Sequence, residues 1–332
     1  MTIDIKTQVI QPKRQTFKHV ADRLGGDRAA SRYEEATFDV QPDANFHYRP
    51  LWAPQFEQFD RRRTAIVMRD WYDLKDPRQY YYATYNIARA RQQEAADSAM
   101  EMVERRRLLD AIPADWLETV RFCLLPLRHY EWGANLNNAA ITAFGWGAAL
   151  TAASCFAMGD RLGMAQLLSR IGLMLGGNTE TSLIAAKTRW VEDPAWQGLR
   201  RMVEDSFVTE DVFELFVAQN MAMDAMVLGL VHDHFGAECD RRGATAIPLL
   251  LGFAAEWRED SARWVDQVVR VAAAEGPENR ALISRWATDW SARAADALAP
   301  VAAHVLGTAG GARAMEDLGG RFAERMVRLG LA

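Results

Sequence analysis

The hydrophobic pattern of the chain is organised around one stretch, from Trp132 to Gly159, which has no charged residue between Glu131 and Asp160. As a helix it would be about 42 Å long, enough to cross a membrane. Asparagine, threonine and serine are spread along it, however, and alanine and glycine outnumber the large aliphatic residues. A helix that is apolar on every side and rich in small residues suits close contact with other helices. The pattern therefore predicts one helix buried at the centre of a large all-α protein, and not a transmembrane helix.

Helices are also predicted before this stretch. Asp76 and Pro77 are typical of a helix start, and the helix that they open should end near residue 109. After Pro113 the next helix should begin near residue 114, with a kink at Pro126. No convincing strand pattern and no internal repeat accompanies these signals.

After the central stretch, the segment 160–163 is expected to break the chain before a helix over 164–175 that Gly176 and Gly177 end. Asn178 or Thr179 should cap the next helix. Periodicity and capping residues then predict helices that begin at Asp193 and cover 209–234, 246–274 and 278–305, followed by a glycine loop at 307–311 and a last helix over 312–329.

Residues 1–60 have no lasting period and are interrupted by four prolines, yet residues 45–52 (NFHYRPLW) are aromatic and basic. Disordered segments are usually poor in aromatic residues, so we expect an extended arm that lies over a partner subunit. The predicted organisation is this arm (1–60), a helical core (61–306) and a C-terminal helical segment (307–332). Tyrosines cluster at 80–85, where an interface and an ordinary core are equally good interpretations. The candidate interface residues are Phe46, Tyr48, Arg49, Trp52, Tyr80 and Tyr81.

Net charge and cysteine content narrow the class of protein. A net charge of −5 and a pI near 5.8 give no reason to expect nucleic acid or an anionic membrane as a partner. Cys123, Cys155 and Cys239 have no regular spacing, so we expect reduced core thiols in a cytoplasmic protein. The N-terminus lacks the apolar segment of a signal peptide.

Long buried helices suggest a ferritin-like bundle, in which a di-iron site needs Glu-x-x-His on two helices and one Glu on each of two others. No glutamate in this sequence has a histidine three residues later. Glu131 is followed at that spacing by Ala134, and Glu214 by Val217. The sequence therefore predicts that the chain binds no metal.

Other candidate residues have plainer interpretations. The two histidines of His232-Asp233-His234 point to opposite helix faces, so we expect them at a helix end and not as a metal pair. His129 is interpreted as a core histidine with satisfied hydrogen bonds, and Asp224, with Asn220 one turn earlier, as a buried hydrogen-bonding group. The cluster at 61–63 (RRR) is either solvated or paired with a partner's carboxylates. No phosphate loop, nucleophile elbow or zinc spacing occurs.

Several segments resemble one family, the beta subunit of the hydroxylase in bacterial multicomponent monooxygenases. The segments are 33–37 (YEEAT), 45–52 (NFHYRPLW), 70–82 (DWYDLKDPRQYYY), 160–164 (DRLGM) and 218–220 (AQN). The likeness is to phenol hydroxylase ahead of the toluene, alkene and methane enzymes. It extends to about residue 270 and is weaker in the Ala- and Gly-rich remainder.

This resemblance implies a ferritin-like fold without its own di-iron centre, in agreement with the missing Glu-x-x-His pairs. It further implies an (αβγ)2 hydroxylase whose alpha subunit holds di-iron, an NAD(P)H-dependent reductase with FAD and a [2Fe-2S] cluster, and a small regulatory protein. It carries no catalytic, metal or cofactor-binding residue over to this chain. The alternatives are the beta subunit of a toluene or alkene monooxygenase, a helical di-metal oxidase with unusual ligands, and a free-standing helical ligand-binding protein.

Overall fold

The computed structural model describes residues 16–25 and 29–331, and within these ranges all regular structure is helical. The predicted all-α fold is therefore confirmed. Three short 3₁₀ turns occur at Arg61–Arg63, Trp71–Asp73 and Leu108–Ala111. The helices are α1 (Lys18–Arg23), α2 (Arg32–Thr37), α3 (Tyr82–Arg105), α4 (Ala114–Leu124), α5 (Leu127–Phe144), α6 (Ala148–Leu175), α7 (Thr181–Glu192), α8 (Pro194–Ser206), α9 (Val212–Arg241), α10 (Ala246–Ala274), α11 (Pro277–Leu306) and α12 (Thr308–Arg328).

Several helix ends lie where local chemistry puts them. Asp193 caps α8 by accepting a hydrogen bond from the backbone N–H of Ala195 at 2.9 Å. Asp211 caps α9 in the same way, with two backbone N–H donors at 2.9 and 3.0 Å, so this helix begins at Val212 and not at residue 209 as predicted. Gly176 ends α6 as predicted. The N-cap of α7 is Glu180, one or two residues later than predicted, and no side chain caps it.

The central apolar stretch is two helices, α5 and α6, so the prediction of one continuous helix is wrong. They are joined at Gly145–Gly147 and pack along each other, with Asn135 Nδ2 donating to the carbonyl of Met158 at 2.7 Å. Gly147 has φ +85°, and a Cβ there would lie 2.9 Å from the Cβ of Trp71. Apolar periodicity shows neither the positive φ of Gly147 nor its contact with Trp71, which is 76 positions away in the sequence.

The predicted break at 160–163 is also wrong, because α6 continues through it to Leu175. Asp160 accepts hydrogen bonds from Arg89 of α3 and from Trp257 of α10, and Arg161 is fully buried. The two charged residues look like a break in the sequence because their partners lie on other helices.

Two helix starts differ from prediction. Asp76 caps a turn by accepting from the backbone N–H of Arg78 at 2.9 Å, and Gln79 has φ +52°, so α3 begins only at Tyr82. The last helix begins earlier than predicted, at Thr308, and includes Gly310 and Gly311. A Cβ on Gly311 would lie 2.6 Å from the backbone N of Ala303, so this glycine permits close helix contact and does not form a loop.

Helix α9 contains two π-helical segments, Val217–Met223 and Leu230–Phe235. By length and composition it could cross a membrane, but most of it is buried among the other helices. The helix continues to Arg241, so the predicted end near residue 234 is wrong. Gly236 is a helix-ending signal that packing overrides here.

One contiguous hydrophobic core joins α3 to α12 and includes Leu318 and Phe322 of the C-terminal helix. Ahead of it, the described part of residues 1–60 forms a smaller cluster in which Val20 and Phe38 pack against Tyr72 and the start of α6. Helices α5, α6, α9 and α10 meet at the centre of the molecule. Their inward polar residues form the candidate site.

Candidate functional site

The centre of the bundle holds a buried arginine between two carboxylates. Arg161 of α6 has no exposed surface. Its Nη1 donates to Oε2 of Glu131 on α5 at 3.0 Å, and its Nη2 donates to Oδ2 of Asp224 on α9. One cation therefore links three helices inside the bundle.

Neutral donors complete the surroundings of Asp224. Its Oδ1 accepts from the hydroxyl of Tyr130 at 2.6 Å and from Nε2 of Gln219 at 3.0 Å. On the same side of the bundle, Asn220 and Asn138 exchange amide hydrogen bonds at 3.1 and 3.2 Å. Asp224 and Asn220 are therefore hydrogen-bonding groups, as predicted.

The electrostatics of the cluster follow from burial and from this pairing. Burial raises the pKa of Glu131, which Arg161 only partly offsets. Burial also raises the pKa of Tyr130 well above its usual value, so its hydroxyl stays a donor to Asp224. For Arg161, burial lowers the pKa, but Asp224 and Glu131 outweigh it and the net direction is upward. The guanidinium is a permanent internal cation.

A second ion cluster lies one residue earlier on α6. Asp160 accepts from Arg89 Nε and Nη2 at 2.6 and 2.7 Å, and from the indole of Trp257 at 2.7 Å. The guanidinium carbon of Arg161 lies 4.5 Å from the ring centre of the same Trp257. Both clusters are thereby held against α10, which fixes the inward face of the bundle.

These positions have the pattern of a ferritin-like di-iron site but not its chemistry. Helices α5 and α9 each supply one carboxylate, Glu131 and Asp224, as that site requires. The helices that should supply Glu-x-x-His supply Arg161-x-x-Met164 on α6 and Arg258-x-x-Ser261 on α10.

Five of the six side chains line two spaces that share Leu228 and Trp257, and Arg161 bonds to Glu131 of one and Asp224 of the other. Glu131 and Met164 line one cavity of about 30 Å³, and Asp224, Arg258 and Ser261 line an adjoining cleft. Two guanidinium groups, a thioether and a hydroxyl do not fit a di-iron centre, because iron in such sites is held by carboxylates and imidazoles. In residues 16–25 and 29–331 no group of three or more His, Cys, Asp or Glu side chains could hold a metal ion.

The histidines named from the sequence serve other purposes. His129 stacks on Trp190, and burial lowers its pKa to about 4. It is only half-buried, and its Nε2 has no hydrogen-bond partner within residues 16–25 and 29–331, so the prediction of a satisfied core histidine is wrong. Burial lowers the pKa of His232 to about 4 as well. His232 and His234 lie inside α9, so the prediction that they lie at a helix end is wrong. His234 pairs with Asp317 on α12.

The arginine cluster 61–63 is neither fully solvated nor uniformly paired. Arg62 forms an ion pair with Asp60 at 2.6 Å, and Arg61 lies over the ring of Trp146. Arg63 lies over the rings of Phe56 and Phe144.

Glu214 accepts from the indole of Trp290 at 3.0 Å.

The candidate interface residues divide into two groups. In the arm, Tyr48 is 77% and Trp52 73% exposed, whereas Phe46 packs on Phe59 and Arg49 pairs with Glu57. Tyr80 and Tyr81 are half-buried within the chain's own fold, and the Tyr80 hydroxyl donates to Asp260 at 3.1 Å. The contact of any of these residues with a partner subunit stays a prediction.

All three cysteines are free. Cys123 and Cys239 are buried as predicted. Cys155 is exposed on α6, so the prediction of a core position is wrong for it. Sequence reasoning also missed Arg161 and Trp257, although the spacing of Arg161 to Met164 and of Arg258 to Ser261 repeats the spacing of the missing ligand pairs.

The chain is similar to a known family of proteins and to several of its members. A family model described as Methane/Phenol/Alkene Hydroxylase matches residues 52–276. The oxygenase component DmpL of phenol 2-monooxygenase from Pseudomonas sp. (strain CF600) is 44% identical over 100% of this chain and 98% of its own length. The beta subunit of the toluene-4-monooxygenase hydroxylase component from Ectopseudomonas mendocina is 23% identical over 77% of this chain and 76% of its own.

Among solved structures, phenol hydroxylase from Pseudomonas sp. OX1 superposes with a TM-score of 0.90, at 36% identity over 98% of both chains. The ferritin-like bundle expected from the sequence is thereby confirmed. The likeness runs the whole length of the chain and includes the helices that hold the buried cluster. The chain belongs to the methane, phenol and alkene hydroxylase family.

Proposed function

We propose that this chain is the non-catalytic beta subunit of the hydroxylase in a multicomponent phenol monooxygenase. The observation that carries the proposal is Arg161, fully buried between Glu131 and Asp224 at the position where a ferritin-like bundle holds its metals. A hydroxylase in this family needs an oxygen-activating centre, and the residues described at this position do not fit one. Another subunit must therefore supply it.

The relatives support the substrate class and the subunit role. The relative at 44% identity is named as an oxygenase component of phenol 2-monooxygenase, whereas the toluene relative is 23% identical and is named as a beta subunit. We therefore assign phenol-like substrates to the complex. The beta subunit of a toluene or alkene monooxygenase is the alternative.

The proposed assembly is an (αβγ)2 hydroxylase with di-iron in the alpha subunit. Electrons would come from an NAD(P)H-dependent reductase with FAD and a [2Fe-2S] cluster, and a regulatory protein would complete the system in the cytoplasm. This chain would support alpha by presenting a rigid bundle, fixed by its internal ion clusters and not by metal. The exposed Tyr48 and Trp52 of the arm are suited to a contact with alpha.

Co-expression with the neighbouring hydroxylase genes tests this proposal. We expect this chain to purify with a larger subunit, all iron to remain with that subunit after separation, and phenol turnover to require both. Stoichiometric iron in the isolated, folded chain would favour the di-metal oxidase instead. Purification of this chain alone, with full phenol turnover by the remaining subunits, would contradict the subunit role.

The substrate class has its own measurement. Turnover of the reconstituted complex with phenol, toluene and a short alkene should be fastest for phenol. Faster turnover of toluene or the alkene would contradict the proposed phenol-like substrate class but would not contradict the proposed subunit role.

A further inference from the structure

A cleft of about 240 Å³ opens beside the buried cluster, between α9, α10 and α12. Its floor reaches Asp224 and Ser261, and its rim is formed by arginines of α10 and α12. We propose that this cleft binds a small organic carboxylate with an apolar body about the size of one aromatic ring.

The charge of the cleft wall comes from Arg258, Arg321, Arg325 and Arg328. Three of them are held in place by aspartates. Arg258 donates to both oxygens of Asp233 at 2.8 and 2.9 Å, and Arg321 donates to the same carboxylate at 2.9 Å. Arg325 Nε donates to Asp266 at 2.7 Å. These guanidinium groups are therefore oriented before any ligand arrives.

Within the described part of the chain, the carboxylates around the cleft leave one of its guanidinium groups without a partner. Asp233, Asp266 and Asp317 pair with Arg258, Arg321 and Arg325, while Asp224 shares Arg161 with Glu131. Arg328, exposed at the mouth, has no hydrogen bond or ion pair with the described residues 16–25 and 29–331. A guanidinium with free donors matches a planar carboxylate in a two-pronged contact. The unpaired guanidinium of Arg328 favours an anion.

The shape and the remaining lining select an organic anion over an inorganic one. Leu228, Leu318 and Phe322 give the cleft an apolar side. A cavity of about 150 Å³ is enough to hold benzene, so 240 Å³ accommodates a ring with a carboxylate. Ser261 offers a hydroxyl that makes no hydrogen bond with the described part of the chain, and it can donate to a second ligand oxygen.

The place of the cleft in the bundle explains why we expect its ligand to be an anion. Arg258 and Ser261 occupy the i and i+3 positions of α10 at which a metal-holding bundle has Glu and His. A guanidinium in place of a carboxylate removes the local preference for cations. The cleft is lined by residues of this chain, so its proposed ligand is independent of the substrate of the complex.

Equilibrium dialysis of the purified hydroxylase complex with benzoate tests the proposal. The variants are Arg328→Gln, the charge reversal Arg328→Glu, and the control Arg313→Gln, an exposed arginine of the same helix outside the cleft. We expect one benzoate per copy of this chain in wild type and control, weakened at least tenfold in both Arg328 variants. The difference between control and variants isolates the cleft from any benzoate site on another subunit.

Two further probes test the ligand class. Phenol has the ring without the charge and inorganic phosphate the charge without the ring, so each should compete with benzoate at least tenfold more weakly than benzoate itself. Equal benzoate binding by the Arg328 variants and the control overturns the site. Absence of benzoate binding, or equal competition by phosphate, overturns the ligand class.

Discussion

Arg161 donates to Asp224 across the centre of the bundle, from α6 to α9, over a sequence separation of 63 residues. The same guanidinium reaches Glu131 on α5, so its removal would leave two buried carboxylates, 4% and 8% exposed, without a cation. Four predictions about stability, pH and assembly follow from this arrangement and from the packing around it.

Replacing Arg161 by Met should destabilise the chain by about 3–5 kcal/mol, because an uncompensated buried charge remains. The measurement is urea unfolding of the purified chain. Arg170→Met on the same helix is the control, since Arg170 pairs with Asp97 at the surface and should cost at most about 1 kcal/mol. The triple variant Glu131→Gln, Arg161→Met, Asp224→Asn should recover most of the loss. Equal effects of the two arginine substitutions would refute the buried role.

The buried histidines should make stability fall with acid. The pKa of His232 is lowered to about 4 in the folded chain, below its ordinary value of 6.5, so the unfolded chain takes up the proton first. This contribution is intact above pH 6.5 and is lost as pH falls toward 4. His232→Gln should reduce the slope of unfolding free energy against pH by up to about 1.4 kcal/mol per unit in that window. The control is His19→Gln. If the His232→Gln variant has the same slope as this control, the prediction for His232 is wrong.

Gly311 should tolerate no side chain. A Cβ there meets backbone atoms of Ala302 and Ala303 at 2.6 to 2.8 Å, so Gly311→Ala should cost about 1–3 kcal/mol by forcing α11 and α12 apart. Gly319 lies in the same helix with nothing within 4 Å. Gly319→Ala should therefore stabilise the helix by about 0.5–1 kcal/mol. Urea unfolding of both variants measures the difference in sign, and a neutral Gly311→Ala would disprove the close contact.

The arm should contribute to assembly through Trp52. The indole is 73% exposed, so Trp52→Ala should leave the unfolding transition unchanged and weaken assembly with the alpha subunit by about 2 kcal/mol. Val327→Ala on α12, an exposed apolar residue elsewhere, is the control. Truncation of residues 1–55 is a less specific test, because Phe38 and Tyr33 are buried against the chain's own body. Unchanged affinity of the Trp52 variant would leave the arm without this role.

The sequence by itself determined those features that neighbouring residues decide. Asp193 starts its helix as predicted, because its side chain accepts a hydrogen bond from the backbone N–H two residues later. Gly176 ends α6 for an equally local reason. The all-helical class, and the absence of any Glu-x-x-His pair, needed only periodicity and spacing.

The tertiary structure alone decided which polar residues meet. Nothing near Asp160 in the sequence shows that Arg89 and Trp257 will satisfy it, so a continuous helix looked broken there. Gly147 divides the central stretch because Trp71 occupies the space of a side chain. Arg161 became the centre of the site through carboxylates 30 and 63 residues away, and burial gives their pairing its strength. Contacts between helices distant in sequence have no local signature, which is why periodicity found the bundle but not the ion cluster inside it.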